Sequence, residues 1–156
     1  MIDSTLFRHV MGRFASGVTV VTTGHEGRLA GLTVSSFTSL SLQPTLVLVC
    51  VDRGASSHDA IAAAGQFAVN ILAEGQEYLS RRFASNEPDK FTEGTYELSP
   101  RGLPLISGAL ARIECRLHST LPGGDHTIFV GAVLDASCSE GRPLLYYRSG
   151  YHTLGS

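Results

Sequence analysis

Two long segments of β-type sequence, about Ala109 to Leu121 and Thr127 to Ser137, are joined by Pro122-Gly123-Gly124-Asp125-His126. Strand formers on both sides of turn formers predict an antiparallel hairpin. A hairpin of this length exposes unpaired backbone along both outer edges unless the sheet continues or closes. The rest of the chain supplies the continuation. Val18 to Thr23 is rich in β-branched residues, Gly24-His25-Glu26-Gly27 is turn chemistry, and Arg28 to Leu42 returns as a Ser- and Thr-rich strand segment. After Gln43-Pro44, Thr45 to Val51 is the continuous apolar run of a strand buried on both faces. Phe67 to Leu72 and a shorter Pro143 to Tyr147 complete the set.

Helical periodicity is confined to short pieces. Asp3 or Ser4 can cap a helix whose apolar positions Leu6, Phe7, Val10, Met11 and Phe14 share one face, with Gly17 placed to end it. That helix is expected to cover one end of the sheet. Ser56 or Ser57 can cap a second helix through Ala64, Gln76 to Ala84 forms a third, and Ser85 to Gly94 reads as a loop. The resulting fold class is mainly β with short helices, in which six or seven antiparallel strands form a closed or nearly closed barrel, because closure removes edges. A chain of 156 residues, 43% hydrophobic and 17% charged along its whole length, is read as one domain spanning residues 1 to 156.

Several classes of function are disfavoured. A formal charge of -2 without runs of Lys or Arg lacks the electrostatic footprint of a nucleic-acid or anionic-membrane binder. No apolar stretch approaches the roughly 18 residues of a membrane span, and Met1-Ile2-Asp3-Ser4 opens without a basic region followed by an apolar one, so a cytoplasmic protein is expected. Neither GxGxxG nor a P-loop occurs, nor do HExxH and GxSxG. Cys50, Cys115 and Cys138 lack the close spacing of a zinc or redox pair, and no metal is expected. Cys50 and Cys115 lie in apolar strand patterns, as buried small residues do.

Two neighbouring stretches carry chemistry. In Thr33-Val34-Ser35-Ser36-Phe37-Thr38-Ser39-Leu40-Ser41, hydroxyl groups crowd a barrel segment where each must find a partner. Their partners are either neighbouring backbone or a polar ligand. Downstream, Asp52-Arg53-Gly54-Ala55-Ser56-Ser57-His58 places a cation and two hydroxyls at a helix start, a favourable setting for phosphate. The serines also suffice as a plain helix cap.

Thr33 to Ser41, the following Pro44, Cys50-Val51-Asp52-Arg53 with Ser57-His58-Asp59-Ala60-Ile61, Phe67 to Leu72 and Gly124-Asp125-His126 together resemble the flavin reductase family, in its usual order from Phe7 to Leu154. These are the split-barrel reductases of two-component monooxygenases. The resemblance implies an FMN-binding split barrel, dimeric, with the flavin near the subunit interface. It further implies that Thr33, Val34, Ser35, Ser36 and Phe37 border the flavin ring. Ser41 and Cys50, Val51, Asp52 and Arg53 would follow the ribityl and phosphate path, and Ser57 would meet the phosphate. Gly124, Asp125 and His126 match a motif beside the nicotinamide, with His126 the catalytic candidate, orienting nicotinamide or balancing charge. Without that match His126 is an ordinary turn residue.

Ser80 to Ala84 and Asp89-Lys90-Phe91 match segments near the flavin and the subunit contact, and Arg148 and Tyr151 match residues that approach the ligand. Arg81 and Arg82 also fit a solvated helix face, and Tyr151 also fits a role in closing the barrel. The implied activity is reduction of FMN or FAD by NADH, less readily by NADPH, for a separate monooxygenase. The rivals are a non-catalytic flavin-binding or electron-transfer protein of the same fold, and an oxidase of pyridoxamine-phosphate type on a related barrel.

Overall fold

The structure is a computed structural model that describes residues 1–155. Its centre is a 7-stranded sheet made by β2 (Thr19–His25), β3 (Arg28–Val34), β4 (Phe37–Leu42), β5 (Thr45–Asp52), β6 (Gln66–Ile71), β9 (Ala111–Gly123) and β10 (His126–Cys138). Their order is β3-β2-β6-β9-β10-β5-β4, and every pairing is antiparallel. β1 (Ser16–Gly17), β11 (Leu144–Tyr147) and β12 (Gly150–Thr153) form a small sheet, and β7 (Tyr96–Leu98) pairs with β8 (Pro104–Ile106). The helices are α1 (Ser4–Met11), α2 (His58–Ala64) and α3 (Glu77–Ala84). The expected antiparallel split barrel is the observed fold.

Side-chain alternation divides the core into two layers. Val21, Val34, Val47, Val49, Val51, Phe67, Val69, Cys115 and Phe129 fill the barrel. Val18 and Val20 point the other way and meet Leu72, Leu79, Phe83, Ile106 and Leu144 under α3 and the small sheet. β2 is therefore buried on both faces, which explains why its sequence lacks a polar alternation. Asn70 pins the outer layer. Its amide donates to Val20 O and Thr22 Oγ1 and accepts from the Ile106 N–H, all buried. At Gly131 any Cβ would lie 2.6 Å from Phe67 Cζ and 2.7 Å from Cys115 Cβ, so only glycine lets β10 close against that core.

Several boundaries differ from the sequence reading. The segment Arg28 to Leu42 breaks at Ser35-Ser36 into β3 and β4, because β4 folds onto β5 instead of continuing beside β2. α1 stops at Gly12, not Gly17. β7 and β12 carry no sequence pattern long enough to announce them; each owes its conformation to a partner strand. α1 buries none of its residues, so it does not cover the sheet as expected.

Candidate functional site

The inward turn of Val47, Val49 and Val51 sends Leu48, Cys50 and Asp52 to the outer face of β5. Cross-strand partners share a face. Asp52 is registered with His126 and Cys50 with Ile128, so His126 joins Cys50 and Asp52 outside the barrel. Ser36 is fastened beside them: its carbonyl accepts the Cys50 N–H at 3.1 Å, and its hydroxyl donates to Cys50 O at 3.0 Å. Over this strip lies a cleft of about 560 Å³, which takes in Ser35, Ser36, Phe37 and Cys50. Its other wall comes from Phe7 and Met11 of α1 and from Tyr147 and Arg148 at the β11–β12 turn. The volume and apolar lining are those of a small-molecule site.

The hairpin tip is tied to the same strip. The Arg53 N–H donates to Asp125 O at 3.0 Å, and Gly124 takes the left-handed conformation (φ 66) that the tight turn requires. His126 Nδ1 and Asp125 Oδ1 are 2.7 Å apart. That hydrogen bond, with the attraction of His126 and of Arg53, holds the exposed Asp125 carboxyl below the usual carboxylate range. Whatever stability it lends is present at neutral pH and is lost only as pH falls through the lowered value. His126 Nε2 has no hydrogen bond among the described residues and is the ring atom available to a ligand.

A second cavity, about 490 Å³, collects Gly31, Ser57, Asn86, Lys90 and Phe91. β3 is the first strand of its sheet, so backbone N–H and C=O groups along its outer edge have no strand partner on that side. Burial lowers the Lys90 ammonium, partly offset by Glu87. Phe91 stacks edge-on between Phe83 and Tyr96, which gives this wall rigidity.

The remaining candidates are placed less directly. Ser57 is buried and its hydroxyl donates to Gly31 O at 3.0 Å, so it ties α2 to β3 and does not cap the helix. Thr33 turns outward and donates to Ser80 O on α3, at 2.5 Å. Val34 and Val51 face the barrel core, which leaves only their backbone for a ligand. Ser41 is registered with Leu46 at the far end of the β4–β5 hairpin, away from Cys50 to Arg53. Tyr151 lines a different cavity, with Glu77 and Tyr78, and its hydroxyl lies 2.6 Å from Ser80 Oγ. Arg81 keeps to the exposed face of α3, where it stacks over the Tyr151 ring at 4.9 Å and pairs with Glu77 at 3.1 Å.

Sequence reasoning missed the α1 wall of the first cleft. Its signal was present as the apolar face of Phe7 and Met11, assigned there to the sheet. Cys115 is buried in the barrel, where desolvation, with Glu114 nearby, pushes its thiol up to about 12; it is inert packing. Cys50 is only half-buried, and Cys138 is exposed. No group of three or more His, Cys, Asp or Glu could hold a metal ion among the described residues.

Residues 11–155 match the flavin reductase like domain. The chain is 45% identical over 153 residues to the reductase subunit HsaB of a flavin-dependent monooxygenase from Mycobacterium tuberculosis, covering 96% of this chain and 82% of that protein. It is 44% identical over 145 residues to FMN reductase (NADH) SmoA of Agrobacterium fabrum, with 92% and 82% covered. The NADH:FAD oxidoreductase SgcE6 of Streptomyces globisporus, solved in complex with NAD and FAD fragments, superposes with a TM-score of 0.94 at 41% identity, over 98% of this chain and 93% of that one.

Proposed function

This chain belongs to the flavin reductase like family, and from that premise we propose that it reduces FMN or FAD with NADH and delivers reduced flavin to a separate monooxygenase component. The relatives named for NADH-dependent reduction of FMN and of FAD, and for a reductase subunit of a monooxygenase, support each half of that statement. The observation that carries it is the convergence of Ser35, Ser36, Phe37 and Cys50 on one cleft, beside the face that bears Asp52 and His126.

The residues present fit a flavin. An apolar cleft with exposed serines at its edge suits a flat ring with a polar rim, and the unpaired edge of β3 offers further donors and acceptors. Arg53 is exposed and free to take a bidentate hold on a phosphate, with Lys90 of the second cavity as a further cation. Bound flavin supplies the acceptor for a hydride from the nicotinamide. The chain's part is to hold, orient and exclude water. Phe37 and the α1 side chains give the cleft its apolar wall, Ser36 fixes the loop at its rim, and Asp125 holds His126 through Nδ1, so that Nε2 is the ring atom that would meet a nicotinamide.

The working unit is proposed to be a homodimer of single-domain chains in the cytoplasm. The uncovered apolar face of α1, with Leu6, Phe7, Val10 and Met11 about half exposed, supports a second copy as its cover. The deciding assay follows NADH oxidation with and without catalytic FMN or FAD. Turnover that requires flavin is expected; flavin binding without turnover would leave a carrier, and an aldehyde formed from pyridoxamine phosphate would indicate the oxidase. His126→Ala should keep flavin affinity and lose most NADH-dependent reduction, about 10²-fold for a lost polar group in a site. Arg53→Ala should raise the flavin Kd about tenfold, and an unchanged Kd would remove its phosphate role.

A further inference from the structure

His58 is the first residue of α2, immediately after the buried Ser57, and its own side chain is only 15% exposed. Both ring nitrogens are engaged. Nδ1 lies 2.9 Å from Asp59 Oδ1 and Nε2 lies 2.7 Å from Thr127 Oγ1. The ring also packs on Phe129, with centroids 5.3 Å apart. Whichever tautomer is present, a hydroxyl can donate or accept, so the contact with Thr127 survives and the ring is fixed at three points.

Thr127 directly follows His126 in β10. Alternation turns Thr127 and Phe129 inward and His126 outward. The inner side of the very strand that presents His126 is therefore gripped by α2, 69 residues away in sequence. The same short stretch reaches the other ligand-binding elements. Ser57 donates to Gly31 on β3, and the Arg53 N–H donates to Asp125 in the hairpin tip. Loop 52–58 is thus bonded both to the edge assigned to flavin and to the hairpin assigned to nicotinamide. Backbone pairing of β10 with β5 and β9 sets the height of His126 along the strand, and the Arg53 N–H to Asp125 O bond ties the tip; the His58–Thr127 contact is the side-chain tie from α2 to this end of the hairpin.

We infer that His58, acting through the Thr127 hydroxyl, is a positioning residue that locks the His126 hairpin to the flavin-holding loop. The inference rests on the reductase reading above. It differs from a plain packing role in what it predicts. A packing residue, once lost, weakens folding and flavin binding together; a coupling residue, once lost, leaves flavin bound while His126 is misplaced for the nicotinamide.

The test compares Thr127→Val, which keeps shape and loses the hydroxyl, with Thr127→Ser, His58→Phe and the double variant His58→Phe/Thr127→Val, each measured for FMN and FAD Kd, NADH KM, kcat and Tm. Thr127→Val should lower kcat/KM for NADH by about three- to tenfold, the weight of one hydrogen bond, with the flavin Kd unchanged. Thr127→Ser should restore it. The double variant should lose no more than the worse single one, because both act through one bond. Wild-type kinetics in Thr127→Val, additive losses, or a parallel fall in flavin affinity and Tm would overturn the inference. Wild-type protein that binds no flavin and oxidises no NADH would instead overturn the reductase reading, so the two failures are distinguishable.

Discussion

α1 and α3 are both eight-residue amphipathic helices, yet they meet opposite fates. α3 buries Leu79, Ser80 and Phe83 against β2 and β3, while every residue of α1 stays outside the core. The difference lies in what receives them. Beneath α3, Gly31 leaves room for the Phe83 ring, whose Cε1 would be 3.0 Å from any Cβ placed there. Thr33 donates to Ser80 O, and the Tyr151 hydroxyl meets Ser80 Oγ, so the polar groups of that interface are matched as well. α1 has an N-cap from Asp3 to the Leu6 N–H and is otherwise held mainly by backbone near its end, where the Arg148 N–H donates to Gly12 O. An apolar helical stripe is thus a demand for a partner; which partner meets it is written elsewhere.

The comparison can be broken most forcefully at α3. Phe83→Ala should cost about 3–5 kcal/mol of folding stability, the range for truncating a buried aromatic, seen as a lower denaturant midpoint that does not depend on protein concentration. On α1, Val10→Asp should shift the monomer–dimer equilibrium by about 2 kcal/mol or more, the penalty for placing a carboxylate in an apolar contact, read by sedimentation. Its far-UV dichroism should remain unchanged. If Val10→Asp leaves the mass unaltered, α1 is not the dimer contact and the proposed assembly falls. Tyr151→Phe should cost about 1 kcal/mol, one net hydrogen bond, and should loosen α3 in hydrogen exchange without touching α1. Smallest of all, Asp3→Ala should remove about 0.5–1 kcal/mol of helix stability. In a solvent-exposed terminal helix that loss should appear as fraying of α1 in amide exchange, with little change in global Tm.

The elements with strong local periodicity were readable in advance. The β9–β10 hairpin, the apolar run of β5 and the three helices all lie near their expected positions, because alternation and capping are short-range signals. The site was legible in part. Ser35, Ser36, Phe37 and Cys50 do share a cleft, and His126 and Asp52 do share a face. The sequence offers Ser57 as a phosphate contact or a plain helix cap, and its hydroxyl is spent on Gly31, 26 residues away. Thr33 is similarly spent on Ser80, and Tyr151 belongs to the α3 interface. Ser41 was carried off because the β4–β5 hairpin separates its two ends. The link from His58 to Thr127 spans 69 residues and has no trace in spacing.

What the amino-acid order determined by itself is the set of strands and helices, the turn chemistry between them, and which positions are apolar on each face. Those properties depend on backbone preference and on periods of two or 3.6 residues, which any short window contains. The tertiary structure alone decided which hydroxyls bond to distant backbone, which helix finds its partner inside the chain, and that His58 meets Thr127 beside His126. These depend on pairings between residues far apart in the chain, and the free energy of a hydrogen bond or a buried ring belongs to the pair and not to either member.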